Sequence, residues 1–68
     1  MTYEELKDAV RWYKQRHGST PVERSVFTTF ICGYFHTYPR NASFILKEMQ
    51  ECDLITITKG KVIPSTKR

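Results

Sequence analysis

Long apolar runs are missing from this chain. No stretch approaches the roughly 18 consecutive apolar residues that a membrane-spanning helix needs. The acidic start, Thr2-Tyr3-Glu4-Glu5, has no apolar block behind it, so it does not read as a secretory signal. The expected location is cytoplasmic, with no membrane partner. Cysteine is scarce as well. Cys32 and Cys52 are too few for a disulfide scaffold, and a reducing compartment keeps them as thiols, expected to serve packing. Gly18, Gly33 and Gly60 are the only glycines, which leaves no glycine-rich phosphate loop.

Reactive groupings are lacking too. A zinc site needs ligands at metal spacing, commonly two close pairs. Here Cys32 and His36 form one i, i+4 pair, with His17 and Cys52 scattered. A cysteine nucleophile needs a base and an oxyanion pocket, and no Ser-His-Asp or Cys-His arrangement is legible. The paired Glu4 and Glu5 fall in a first helical turn, where they complement the helix dipole. The sequence therefore implies no enzyme, no metal, no cofactor and no small-molecule ligand. No linker, repeat or low-complexity segment divides the 68 residues, which make a single domain.

What the chain has in quantity is aromatic rings and positive charge. A chain this short buries only about 60% of the surface its unfolded form exposes. Four Phe, four Tyr and one Trp offset this, since each can bury on the order of 150–250 Å². Dimerisation would be a further remedy. Eleven Lys and Arg against seven Asp and Glu give a net charge of +4, which favours a polyanionic partner. All the acids lie at or before Asp53, whereas Lys59, Lys61, Lys67 and Arg68 follow with none between them.

Hydrophobic spacing then orders the chain. Thr2 and Glu5 predict a capping box opening a helix over about 3–17. Its buried face would be Leu6, Ala9, Val10, Tyr13 and possible fifth member His17, with Trp12 at the margin. Gly18 suits a left-handed helix end. Thr20, Pro21 and Glu23 predict a second start, giving a helix over about 21–36. From Val26 to Phe35 that helix is apolar almost all round, which predicts a central position packed on two sides, with Gly33 marking close helix contact. A third helix over about 39–52 starts at Pro39 or, in the other reading, is capped by Asn41. Ala42, Ile45, Leu46 and Met49 repeat at i, i+3, i+4, i+7, one buried helical face. Leu54 to Pro64 alternates, turns at Lys59-Gly60 and returns with Val62 and Ile63, a hairpin over about 54–64. Ser65 to Arg68 is expected to fray. The fold class is α+β, mostly α: three helices followed by a C-terminal two-stranded β-hairpin.

These residues resemble a winged helix-turn-helix over roughly 26–64. Ile31, Cys32 and Phe35 match its first helix, with Cys32 as the small residue at the helix crossing. His36-Thr37-Tyr38 occupies the turn. Ala42, Ile45, Leu46 and Met49 match the buried side of the recognition helix, and Asp53-Leu54-Ile55 the step into the wing. Two positions depart from the pattern. His36 stands where glycine is usual, and nothing beyond Ser19 marks the strand usual between the first two helices. Small regulators of phages and mobile elements often look like this, which is analogy only.

The resemblance implies double-stranded DNA as partner, with the third helix in the major groove. Arg40, Asn41, Ser43, Phe44 and Lys47 would then face the duplex. Arg pairs well with guanine and Asn with adenine, while Tyr38, Ser43 and Lys47 suit phosphate. Lys59 and Lys61 at the hairpin tip would reach the backbone or the adjacent minor groove. The plainer reading makes Arg40, Asn41 and Lys47 a solvated helix face. Phe44 lies off the buried stripe and can meet a thymine methyl, the wing or a subunit interface. Glu48 and Glu51 would repel phosphate, which confines contact to the first two turns. Tyr34, Phe35, Tyr38 and Phe44 could stack single-stranded bases, but such platforms usually sit on strands, and core packing is the simpler role.

Three functions thus compete. The first is a DNA-binding regulator, as a homodimer on a palindromic site. The second is a protein-interaction module presenting Phe44, Trp12 and Tyr3. A small enzyme or inhibitor subunit ranks last for want of a reactive grouping.

Overall fold

Thr2 opens the first helix as its sequence predicts. In the computed structural model, which describes residues 2–65, the Glu5 N–H donates to the Thr2 hydroxyl at 3.2 Å. The Thr2 N–H donates back to the Glu5 carboxylate at 2.8 Å. That backbone bond holds the Glu5 carboxyl below its ordinary pKa. The cap is therefore at full strength above the ordinary carboxylate range and is lost as pH falls through the lowered value. The helix, α1 (Tyr3–His17), buries Leu6, Ala9, Val10 and Tyr13. His17 stays exposed, its ring 4.5 Å from that of Tyr13. Gly18 has the positive φ of 72° expected of a glycine stop, but its ψ of −161° is extended and not left-handed helical.

The start of the second helix is different from the expectation. Val22–Glu23 forms a strand, β1, and α2 (Arg24–Phe35) begins only after it. The local signal of Thr20, Pro21 and Glu23 loses to tertiary packing. Val22 pairs with the fully buried Val62, and Glu23 pairs with Lys61. A β-branched residue against a buried partner is what a sheet rewards. With β2 (Ile55–Thr58) and β3 (Lys61–Pro64), β1 makes an antiparallel sheet in the order β1-β3-β2. The hairpin expected over 54–64 therefore gains a third strand, in the place where only Ser19 had hinted at one.

Nor is α2 packed on two sides. It buries Phe27 and Ile31, while Val26 is 52% and Tyr34 36% exposed. Among the described residues no element covers its outer side. No atom lies within 4 Å of a Cβ built on Gly33, so this glycine marks no close helix contact.

The third helix, α3 (Pro39–Glu51), starts at the proline, with Asn41 inside it and Tyr38 at the N-cap. Ala42, Ile45, Leu46 and Met49 are all buried. Both turns flanking α3 use the same device. His36 sits at φ 53°, and the next N–H, of Thr37, donates to the Cys32 carbonyl at 3.0 Å. Asp53 sits at φ 61°, donating to the Gln50 carbonyl at 3.1 Å, and Leu54 donates to the Met49 carbonyl at 2.9 Å. The second is a complete Schellman arrangement, with Leu54 closing over Met49, and both are buried.

Thr58 pairs with Lys61 across a two-residue turn, in which Lys59 (φ 52°) and Gly60 (φ 76°) both have positive φ. That is a type I′ hairpin, whose twist suits the strands. Beyond β3, Ser65 does not fray: its N–H donates to the Leu54 carbonyl at 2.9 Å. Lys67 and Arg68 lie outside the described residues. Among the described residues no helix is long and apolar enough to cross a membrane.

Two classes of substitution should stabilise the fold. Gly33→Ala removes backbone freedom at an unobstructed helical site, and His36→Gly or Asp53→Gly relieves left-handed strain. Each is expected to raise unfolding free energy by about 0.5–1 kcal/mol in urea titrations. Gly60→Ala should shift the same midpoint downward.

Candidate nucleic-acid interface

The period that buries one side of α3 dictates what the opposite side presents. Arg40, Phe44, Lys47 and Glu51 recur at i, i+4, i+7, i+11, and all four are exposed. Asn41 and Glu48, also exposed, flank this line on one side, with Ser43 and Gln50 on the other. Positive charge lies in the first two turns and negative charge in the last, so one end of the helix invites an anion and the other repels it. At the N-terminus, Tyr38 makes no side-chain cap, no acid stands in the first turn, and Tyr38 itself is 74% exposed. The Arg40 and Asn41 amides, which precede the first Ala42-to-Tyr38 helical bond, are of the kind that favours anions at helix starts.

The expected residues meet different circumstances. The Ser43 hydroxyl donates to the Pro39 carbonyl at 3.2 Å, which leaves it only as an acceptor for any partner. Phe44 neither packs on the wing nor enters the core, being 63% exposed. Lys59 projects from the turn, with no ion pair among the described residues. Lys61 does not share that freedom. Its Nζ lies 2.6 Å from the Glu23 carboxylate, directly across the β1–β3 register. Tyr34 joins Trp12, Phe30 and Phe35 in one ring cluster, apart from the exposed Tyr38 and Phe44. Cys32 is half-buried against the core, whereas Cys52, expected to pack, is exposed at the end of α3.

One contributor escaped the sequence reading. Arg24 heads α2, its N–H donating to the Gly60 carbonyl at 2.9 Å. It lines an open groove of about 430 Å³ with Ser43, Phe44, Leu46, Lys47, Gln50 and Ile57. No acid lines that groove, so Arg24 and Lys47 make it electropositive, with an apolar floor from Leu46 and Ile57. The signal that could have found Arg24 was the pairing of Val22-Glu23 with Lys61-Val62. Opposite charge and matched valines in antiparallel register would have drawn Arg24 to the wing.

Among the described residues no group of three or more His, Cys, Asp or Glu gathers as a metal site would require. Set beside protein-family models, curated proteins and solved structures, the chain has no significant match.

The Glu23–Lys61 pair is solvent-exposed, with side chains 60% and 48% accessible. A double-mutant cycle to alanine should give a coupling of only about 0.2–1 kcal/mol, smaller still in high salt. A coupling well above that range would show that the pair holds the wing by more than surface attraction.

Proposed function

We propose that this protein is a winged helix-turn-helix that binds double-stranded DNA, with α3 in the major groove and the Lys59 tip on the backbone. The observation that carries the reading is the grouping of Arg24, Arg40, Lys47 and Lys59 around the outward side of α3 and the wing, without a carboxylate partner among the described residues. Two further points support it. Element order α1-β1-α2-α3-β2-β3 with sheet order β1-β3-β2 fits the resemblance of the sequence, including the strand between the first helices. The uncapped start of α3 also suits phosphate.

On this reading Arg40 and Asn41 meet base edges, while Arg24, Lys47 and Lys59 meet phosphates and set register. Phe44, between Arg40 and Lys47, meets a thymine methyl or the sugar wall. Glu51 on the same line and Glu48 beside it tilt the C-terminal half of α3 away from the duplex. The protein acts as a small cytoplasmic regulator, and catalysis has no part in it. A second reading, a protein-interaction surface, draws on the exposure of Phe44 beside the apolar floor of Leu46 and Ile57. It predicts an uncharged, apolar peptide as ligand and salt-independent affinity.

Binding of a random duplex library and of the selected sites separates the two. Arg40→Ala or Asn41→Ala should relax base preference at one position, at a cost of about 1–3 kcal/mol there. Lys59→Ala and Arg24→Ala should weaken all duplexes alike and lower the salt slope by about one unit each. Lys61→Ala should lower it by less, because Glu23 already neutralises that charge. If affinity for duplex DNA is the same at about 50 and about 200 mM salt, or no duplex binds, the DNA reading fails.

A further inference from the structure

The groove beside α3 offers more than a place for phosphate. Ser43, Leu46, Lys47 and Gln50 recur at i, i+3, i+4 and i+7, so they share one flank of α3 and line the groove together. Arg24 of α2, Ile57 of β2 and Phe44 complete the lining. Because it draws on three elements, no local motif in the sequence announces it. Its volume of about 430 Å³ falls within the range of small-molecule sites, about 300–1,000 Å³.

Neither cation of the groove is engaged elsewhere. Among the described residues Arg24 and Lys47 enter no ion pair and lie over no aromatic ring. The wing takes only the Arg24 N–H and leaves its guanidinium free. Glu23, next to Arg24, is held by Lys61 at 2.6 Å, and Glu48 and Glu51 do not line the groove. Gln50 is exposed and keeps both a donor and an acceptor, while the Ser43 hydroxyl keeps an acceptor. Phe44 is 63% exposed and belongs to no ring pair among the described residues. Two free cations, an open ring face and two polar side chains therefore meet in one place.

We propose that this groove binds a free nucleoside monophosphate, with the phosphate on Arg24 and Lys47 and the base on Phe44. The chemistry singles out this occupant. A phosphate monoester carries close to two negative charges at neutral pH, which matches the two cations. A base supplies the flat ring that an exposed aromatic side chain stacks upon, and its polar edge suits Gln50 and Ser43. An apolar peptide would cover Arg24 and Lys47 without giving them a partner, which is costly. Inorganic phosphate would leave Phe44 and Ile57 in water. A duplex hides its base faces in its own stack, so the ring face of Phe44 is open only to an unstacked base. Nucleotide binding does not require the DNA reading, but its consequence rests on it. Arg24 and Lys47 would serve phosphate in both cases, so nucleotide and duplex exclude one another.

Titrating the labelled full chain with adenosine monophosphate in a low-salt, phosphate-free buffer, and following its amide resonances, tests the proposal. Saturable shifts are expected at residues 43–50, Arg24 and Ile57, with a Kd of about 0.1–1 mM. Ribose 5-phosphate, which lacks the ring, and adenosine, which lacks the charge, should each bind roughly tenfold more weakly or worse. Phe44→Ala, Arg24→Gln and Lys47→Gln should each weaken the nucleotide roughly tenfold, with thermal unfolding to verify that each variant is folded. Arg11→Ala, on α1, should leave its affinity unchanged. No saturable shift up to about 10 mM nucleotide overturns the proposal. So does ribose 5-phosphate or adenosine binding as tightly as the nucleotide, or groove variants binding as well as wild type. The titration contains no duplex, so it decides the groove whether or not the DNA reading holds. Where a duplex binds, saturating nucleotide should release it, and a complex that keeps both overturns the shared use of Arg24 and Lys47.

Discussion

Everything in this fold is tied to the buried line of α3. α3 meets α1, α2 and β2 and buries Ala42, Ile45, Leu46 and Met49, so the helix cannot rotate or slide without opening the core. For a chain this small there is no second core to fall back on. Rotation of α3 by one residue, about 100°, would bring the half-buried Ser43 and the exposed Lys47 towards the interior. The outward set of Arg40, Phe44 and Lys47 is thus a consequence of the core and is held as rigidly as the core is. Two left-handed residues, His36 and Asp53, complete the constraint, the first ending α2 and the second following the end of α3.

Charge is distributed with the same economy. The Arg24 N–H to Gly60 bond ties the hairpin to α2, and the pairing of Val22 with Val62 and Glu23 with Lys61 ties it to β1, which brings Arg24 and Lys47 to one groove. The Glu23 carboxylate offsets the charge of Lys61, leaving Lys59 as the wing's cation without an ion pair among the described residues. Acidic residues stand at the C-terminal end of α3 and at the start of α1. After Arg24, α2 runs uncharged, its aromatic flank shared with Trp12. The molecule therefore presents two surfaces of different character: a basic one built on α3 and the wing, and an uncharged one bordered by opposite charges on α1 and α2.

What was legible in the sequence is what local and tertiary forces agree upon. Thr2 with Glu5, Pro39, the four-residue stripe of α3 and the Lys59-Gly60 turn each carry their signal within a few residues. β1 was not legible, because the force that makes Val22 and Glu23 a strand comes from Val62 and Lys61, far along the chain. For the same reason Lys61 read as a free tip charge, and Arg24 did not read as a site residue at all. The uncovered side of α2 misled differently. A helix rich in Phe, Tyr and Val reads as central, but among the described residues its outer side meets no further element. Phe44 read correctly as off the stripe, and only three-dimensional packing could show that the wing leaves it in solvent.

The role of the α3 outward face can be tested most directly by following the backbone amide resonances of isotopically labelled protein as duplex DNA is added. Contact through α3 and the wing predicts that the shifts concentrate at residues 38–47, at Arg24 and at 58–61, while Asp8, Trp12 and Gly33 stay unmoved. Shifts centred on Trp12 and Tyr34, or no shifts at any DNA concentration, would contradict it.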